Sequence, residues 1–343
     1  MTTTIEQVGP LRLVAQRVAG PGFATAAEAV RWMTAMQAQD PRGAAESVLL
    51  RAAGGDVAAA FTAGEIVKSW PMRGTLHLTA AEDLQWILGL TSARTLRAAA
   101  SRKAGLGLDD TTIGQARDLL IEALTGGRSL PRAGLMALWD TGGVSTAGQR
   151  GYHLLWDCAL TALVCFGPVR DGEHHLVLAD EWITTPRRPG REEALAELAL
   201  RYFRSHGPAT ARDFARWTGL LAGDCRTGIA AARPSLTAVN IDGVEHLMDP
   251  ATPDLLAAHR RDAHGVHLLP GFDEFILGYG ERGAVLDPEF AQLIVPGNNG
   301  MFRPTVIDHG RVTGVWKRGR TGAVDATPFT AFPDRVTKAL AVR

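Results

Sequence analysis

The sequence Arg31-Trp-Met-Thr-Ala-Met-Gln-Ala-Gln-Asp-Pro-Arg-Gly43 predicts the end of an amphipathic helix with two glutamines at positions where apolar residues are expected. At about 100° per residue, residues 25–39 form a broad apolar arc, and Gln37 and Gln39 continue two of its rows. Pro41 ends the helix and disfavours helical dihedral angles just before it, so Gln39 is expected to be leaving the helix. In a continuous helix, side chains two residues apart point roughly 200° apart. The break therefore lets the two amides converge on one site.

Length and composition are those of an ordinary globular protein with two or three domains. The chain has 343 residues and a formal net charge of zero, so no overall excess of basic residues indicates nucleic-acid binding. Most basic residues are arginines. Arginine suits phosphate and base contacts, but this usage is equally typical of a GC-rich genome.

Cysteine and histidine usage gives no sign of a metal site or a disulfide framework. The three cysteines are scattered, and the ten histidines form no HExxH pattern, so we expect no metal and no cofactor. No apolar run approaches the ~20 residues of a membrane span, and the N-terminus lacks a signal sequence. We therefore expect a cytoplasmic protein that does not enter membranes.

The first hundred residues are predicted to be mostly helical, with one strand. Thr25 and Glu28 have the spacing of a capping box at the start of the helix that carries the glutamines. Residues 72–78 alternate apolar and polar, which predicts a half-buried strand with Arg73 and His77 on one face. Further predicted helices span residues 11–19, 44–52, 56–69 and 80–104.

The middle of the chain contains an internal repeat of roughly 80 residues. Residues 105–185 and 190–250 each show a helix, a helix-turn-helix and a hairpin with an Asp-Gly turn, which is the winged-helix order. Such modules often bind nucleic acid through their second helix, but they also serve as scaffolds or protein interfaces. The spacing alone leaves both interpretations open.

The last quarter, residues 251–343, is predicted to be rich in strands. Strands at 292–296 and 304–308 flank a segment, 297–303, that is expected to form a hairpin or a loop tip. From Arg303 to the end there are eight basic and three acidic residues. This region could reach a phosphate backbone or a groove, or it could be a solvated β-layer.

Common catalytic motifs are missing from the sequence. There is no GxSxG sequence and no Walker A loop. The available carboxylates, at Asp40, Asp83, Asp273 and Glu274, all suit ordinary roles as caps, turns or surface groups. Gln37 and Gln39 fit either a catalytic pair or polar groups at a helix end.

Four sequence blocks resemble the bacterial winged-helix DNA glycosylases of the AlkZ and AlkX families, in the family's order and over nearly the whole chain. They are Met-Gln-Ala-Gln-Asp (36–40), Ser-Trp-Pro-Met-Arg-Gly-Thr-Leu-His-Leu (69–78), Leu-Leu-Pro-Gly-Phe-Asp-Glu-Phe-Ile-Leu-Gly-Tyr (268–279) and Arg-Pro-Thr-Val-Ile-Asp-His-Gly-Arg-Val-Thr-Gly-Val-Trp (303–316). The resemblance implies an α+β, mainly helical fold with tandem winged helix-turn-helix units in a C-shaped arrangement. It further implies a C-terminal β-rich region with a hairpin that probes double-stranded DNA. The expected divisions are 1–104, 105–185, 190–250 and 251–343.

The glutamine block is similar to that of the AlkZ-like branch, which carries Gln-x-Gln where AlkX-like members carry Gln-x-Asp. This implies that Gln37 and Gln39 are catalytic, and Ala38 between them is a mild departure from the bulkier residue found in many members. The branch implies excision of N-alkylated purines, including crosslinked ones, and protection against DNA-alkylating antibiotics. Candidate DNA contacts are Arg73, His77, Asn298, Asn299 and Arg303.

Glutamine fits this substrate because an N7- or N3-alkylpurine is already cationic. The leaving base needs no protonation, so two amide oxygens suffice to hold a water near C1′ and to favour an oxocarbenium-like transition state. No lysine lies near the glutamine block, so we expect a monofunctional enzyme that leaves an abasic site. Separately, we expect the protein to be a monomer. Large adducts fit poorly in a closed pocket, so recognition without full base extrusion is expected.

The alternative is a non-catalytic winged-helix transcriptional regulator, although the second helices offer few side chains to read bases.

Overall fold

A computed structural model describes residues 3–52, 54–319 and 322–342 of the chain. The chain forms two compact units, Asp56–Ala194 on the one hand and Met1–Gly55 with Leu195–Arg343 on the other. Helices predominate and the strands form small sheets, so the predicted α+β, mainly helical class is confirmed. Among the described residues, no helix is both long enough and apolar enough to cross a membrane.

The unit of residues 56–194 packs helices against an antiparallel sheet. Along that sheet its strands follow the order Thr75–Ala80, Ile66–Met72, Val164–Arg170, Glu173–Leu178, Leu130–Pro131. Its helices are Val57–Thr62, Leu84–Ala98, Ala100–Gly105, Asp110–Leu124, Arg132–Thr141, Arg150–Leu160 and Ala179–Trp182, with a 3-10 turn at Ala81–Asp83. The core contains Trp139, which is fully buried and whose indole N–H donates to the carbonyl of Ala116.

The other unit contains the glutamine block and a four-stranded antiparallel sheet. That sheet has the order Val324–Pro328, Arg311–Arg318, Thr305–Asp308, Val266–Leu269, and a separate hairpin pairs Thr237–Ile241 with Val244–Met248. Its helices are Ile5–Ala15, Ala26–Met33, Pro41–Leu49, Ala211–Thr218, Ala222–Ala232, Thr252–Ala258, Arg260–Ala263, Glu274–Leu277, Ala291–Ile294 and Asp334–Ala341. Short 3-10 turns lie at Arg233–Ser235, Pro288–Phe290 and Pro296–Asn298, and the helix Arg191–His206 includes the boundary between the units.

Both predicted repeats have the expected order of elements. In each, three helices precede a hairpin, at residues 110–178 and 191–248. The hairpins turn at Asp171-Gly172 and Asp242-Gly243, and all four residues have positive φ, between 50° and 82°. Two consecutive positive φ values suit the right-handed twist of paired strands, which explains the Asp-Gly sequence at both turns.

Two predictions in the first hundred residues were wrong. The helix predicted over 56–69 ends at Thr62, and residues from Ile66 onward form a strand. The strand predicted over 72–78 is interrupted by a hairpin turn at Arg73 and Gly74, whose φ values are 52° and 69°, and only its second part lies in a strand, Thr75–Ala80. In both cases pairing within the sheet overrides the local pattern. The first helix also begins earlier than predicted, at Ile5, and ends at Ala15.

The strand predicted over 292–296 was also wrong. Ala291–Ile294 is a helical turn, followed by a 3-10 turn at Pro296–Asn298. The strand Thr305–Asp308, its expected partner, is already paired on both edges, with Val266–Leu269 and with Arg311–Arg318. Residues 297–303 are therefore not the tip of a hairpin between these segments.

Candidate active site

Gln37 lies in an extended segment between two helices and not in the last turn of a helix. The helix Ala26–Met33 ends earlier than predicted, at Thr34, whose φ is 67°. The backbone N–H of Gln37 donates at 3.0 Å to a carboxylate oxygen of Glu274, where a helix would have used the carbonyl of Met33. An acceptor from a distant part of the chain has thus replaced the helical one.

The extended backbone places the two amides side by side. Side chains two residues apart in an extended chain lie on the same face, so Gln37 and Gln39 point the same way. The Nε2 group of Gln37 donates to Oε1 of Gln39 at 2.8 Å. Gln37 is buried, with 7% of its surface exposed, whereas Gln39 is exposed. The predicted convergence of the amides is confirmed, but an extended segment produces it, not a helix break after residue 38.

Asp40 and Gly43 shape the chain just after the amide pair. The carboxylate of Asp40 caps the next helix by accepting from the N–H of Arg42, which is the ordinary role predicted for it. A Cβ atom on Gly43 would lie 2.7 Å from the Asp40 carboxylate and 3.0 Å from the carbonyl of Gly271. Any larger residue at this position would require the Asp40 side chain or the Gly271 carbonyl to shift.

Glu274 fixes the amide pair through the backbone of Gln37. One carboxylate oxygen accepts from the backbone of Gln37, and the other accepts from the indole N–H of Trp217, also at 3.0 Å. Glu274 is 1% exposed, so both hydrogen bonds to its carboxylate are shielded from water. Hydrogen bonds to a buried charged group are among the stronger ones in proteins. Glu274 is therefore a positioning residue for Gln37.

Asp273, the neighbour of Glu274, anchors the same turn through a buried ion pair. Arg51 donates to both carboxylate oxygens of Asp273, at 2.9 and 3.0 Å, and the two side chains are 0% and 1% exposed. The hydroxyl of Ser47 donates to the same carboxylate, and Oε1 of Gln16 accepts from Arg51 at 2.7 Å. This arrangement joins the helix after the amide pair to the turn that carries Glu274.

Aromatic side chains surround the carboxylate of Glu274 on the side of Trp217. Tyr202 stacks on His206, with ring centroids 4.7 Å apart, and His206 lies 5.1 Å from Trp217. Burial lowers the pKa of His206, and the nearby Glu274 opposes that shift only in part. The lowered pKa favours the uncharged form of the His206 ring. Its Nε2 atom lies 3.6 Å from Glu274, which is too long for a hydrogen bond.

Glu274→Gln is expected to slow base release about tenfold. Glutamine has nearly the same shape, but its NH₂ group cannot accept, so either Gln37 or Trp217 loses its acceptor. A lost hydrogen bond to a charged group is worth ~1.5–3 kcal/mol, and 1.4 kcal/mol is a factor of about ten in rate. The measurement is the single-turnover rate of base release at saturating enzyme. The matched control is Trp217→Phe, which removes the other donor and should change the rate less. Equal slowing in both variants would contradict the role of Glu274.

Arg73 and His77 lie together in the unit of residues 56–194. Their side chains approach within 3.4 Å, between Nη2 of Arg73 and Nε2 of His77. Nδ1 of His77 is 2.8 Å from the carbonyl of Thr75, so Nδ1 carries the proton and Nε2 faces the guanidinium. His77 is fully buried, while Arg73, at the hairpin turn, is partly exposed. Their predicted proximity is confirmed, but a turn and a strand produce it.

Asn298, Asn299 and Arg303 lie in an exposed loop of the other unit, not on a hairpin tip. Their side chains form hydrogen bonds within the loop and to the helical turn just before it. Asn298 accepts from Gln292, Asn299 accepts from the backbone of Met301, and Arg303 donates to the carbonyl of Leu293. The structure does not bring these three residues together with Arg73 and His77 in one unit.

The comparisons with known proteins agree with the fold and show the family. Residues 30–343 match the family model described as DNA glycosylase AlkZ-like. An interstrand DNA cross-link repair glycosylase from Streptomyces sahachiroi is 27% identical over 284 residues, which cover 78% of this chain and 74% of the relative. The structure of the Streptomyces sahachiroi DNA glycosylase AlkZ matches with a TM-score of 0.82 at 24% identity, covering 100% of this chain and 96% of that one.

Together, the family match and the helical α+β fold define a DNA glycosylase. A non-catalytic transcriptional regulator, the alternative considered from the sequence, is not favoured. The chain belongs to the AlkZ-like DNA glycosylase family, as its Gln-x-Gln block predicted.

Proposed function

We propose that the protein is a monofunctional DNA glycosylase for cationic N-alkylated purines, including purines joined in interstrand crosslinks, with Gln37 and Gln39 as its catalytic residues. The observation that carries the proposal is the amide pair itself. Gln39 is exposed, and its carbonyl oxygen is oriented by the amide of the buried Gln37. The pair is fixed at its backbone by Glu274.

The chemistry follows from what an amide can do. An amide does not titrate, so Gln37 and Gln39 cannot protonate a neutral leaving base. An amide oxygen can accept a hydrogen bond from water and present partial negative charge to the sugar as positive charge develops on it. The two amides are already held in position, so they need not rearrange during the reaction. This lowers the barrier to the attack of a water on C1′. The site therefore suits a base that is already cationic.

The name of the Streptomyces sahachiroi relative supports including crosslinks among the substrates. A crosslinked purine and a monoadduct share the same weakened glycosidic bond, so one amide pair serves both. We propose that the protein protects its host against antibiotic alkylation damage in the cytoplasm, acting as a monomer on double-stranded DNA. Lesion recognition without full base extrusion belongs to the same proposal, because bulky adducts would not fit a closed pocket.

For the DNA contacts we propose Arg73 in one unit and Asn298, Asn299 and Arg303 in the other; His77, predicted as a contact, is buried behind Arg73 and can act on DNA only by orienting that guanidinium. Arg73 lies at a partly exposed hairpin turn, and the loop of Asn298 is exposed, so a duplex can reach both. Arginine suits a phosphate group, and small polar side chains on a loop suit a groove.

The test is incubation of the protein with DNA that carries defined N7-alkylguanine monoadducts and crosslinks, followed by mild alkali or heat. Strand breaks at the adducts after alkali, with intact strands before it, would show a monofunctional glycosylase. Breaks before alkali would show lyase activity and contradict that part of the proposal. A shift of the DNA band with no breaks after alkali would support the regulator in place of the enzyme.

A further inference from the structure

A cavity of about 540 Å³ in the unit of residues 56–194 combines basic and apolar side chains. Its basic side chains are Lys68 and Arg132, and the ring of Phe166 forms part of its wall. The remaining lining residues are Leu76, Ala133, Met136, Glu173 and His174. None of these residues takes part in the amide-pair site.

Lys68 is a buried cation without a carboxylate partner. It is 7% exposed and lies in the strand Ile66–Met72, and its Nζ atom is 4.8 Å from the centre of the Phe166 ring. Within residues 3–52, 54–319 and 322–342, no carboxylate forms an ion pair with it. Burial lowers the pKa of Lys68 to about 8, and burial and then the Lys68 charge lower the pKa of His174 to about 4. An unpaired buried charge is costly, so an anion in the cavity would stabilise it.

The start of a helix provides a second feature that suits an anion. The helix Arg132–Thr141 begins at the cavity, and Arg132 and Ala133 line it. Its N-cap is Pro131, and no side chain caps its first N–H groups. Uncapped N–H groups and the helix dipole attract negative charge. The helix has ten residues, so its dipole is that of a full helix.

We propose that this cavity binds a phosphate group of the DNA backbone, held by Lys68, Arg132 and the first N–H groups of the helix Arg132–Thr141. The proposal rests on DNA being the partner under the proposed function. Free inorganic phosphate has the same chemistry, but Glu173 in the lining disfavours a dianion more than the single charge of a backbone phosphodiester. The apolar wall can pack against the adjoining sugar.

The first test is the salt dependence of binding to undamaged duplex DNA, which requires no catalysis. Each phosphate contact contributes about 0.9 to the slope of log K against log salt. Lys68→Met should therefore reduce the slope by about one and weaken binding several-fold at low salt, while Lys68→Arg should keep the slope. The matched control is Lys103→Met, because Lys103 is already paired with Asp157 at 2.7 Å and should contribute little. An unchanged slope in folded Lys68→Met, or an equal loss in Lys103→Met, would overturn the proposal.

The second test is the pH dependence of Lys68 acylation, measured by mass spectrometry. Without DNA the amine should titrate near its lowered pKa of about 8, among His174, Arg132 and Glu173. Undamaged duplex DNA should raise that pKa and protect Lys68, whereas inorganic phosphate alone should protect it weakly. Strong protection by inorganic phosphate and none by DNA would overturn the DNA assignment. Both tests use undamaged DNA, so a failure of base release alone would reject the proposed function and leave this result standing.

Discussion

Gln37→Ala is expected to slow base release from N7-alkylguanine DNA by about 100-fold or more. Removing one preset group that stabilises a charged transition state costs ~10²–10³ in rate, and Gln37 also orients Gln39 through its 2.8 Å hydrogen bond. The measurement is single-turnover release at saturating enzyme, with DNA affinity measured in parallel. Affinity should stay close to that of the unaltered protein, because the Gln37 side chain is buried.

Gln39→Ala should show a loss of similar size, since the exposed amide oxygen belongs to Gln39. The informative companion is Gln39→Asp, which replaces the amide by a carboxylate. A carboxylate attracts the developing charge more strongly, so Gln39→Asp should retain activity and gain most on adducts with poorer leaving groups. Unchanged release in both alanine variants would remove the amide pair from the mechanism.

Arg51→Met is expected to lower the free energy of unfolding by about 3–5 kcal/mol, because it leaves a buried carboxylate without its partner. Arg51 and Asp273 are 0% and 1% exposed, so water cannot replace the lost hydrogen bonds. Urea unfolding followed by circular dichroism would measure the effect.

The double variant Arg51→Met/Asp273→Asn provides the control for that measurement. Asparagine keeps an oxygen that can accept from the N–H of Phe275, and with both charges removed the uncompensated carboxylate is gone, so the double variant should be more stable than Arg51→Met alone. If the double variant loses as much free energy of unfolding as the single variants at Arg51 and Asp273 lose together, the pair acts through packing alone. The surface pair Arg42 and Glu46, by contrast, should contribute under about 1 kcal/mol.

The sequence predicted the elements whose signals are local. Tight hairpin turns require positive φ, which Asp-Gly sequences can adopt, and apolar residues in amphipathic helices recur at the helical spacing. The repeated order of helices and hairpin could therefore be predicted. The amide pair stood out because Gln37 and Gln39 interrupt an apolar row. Their roles, however, came from the resemblance of the block to a family.

What depends on distant partners could not be predicted. The helix ends at Met33, and the N–H of Gln37 bonds to Glu274 in a distant part of the chain, a contact that no residue near position 33 indicates. Glu274 itself was assigned an ordinary role, although an acid within the apolar run 268–279 was the available signal. The strand predicted over 292–296 failed because its partner strand already has two neighbours, which is a property of the whole sheet.

The hydrogen bond between Gln37 and Glu274 joins positions 237 residues apart. The indole of Trp217 donates to the other carboxylate oxygen of Glu274. During synthesis, the ribosome makes the two amides long before the residue that fixes them. An emerging chain therefore carries Gln37 and Gln39 without the acceptor for the Gln37 backbone until Glu274 has left the exit tunnel and its segment has packed.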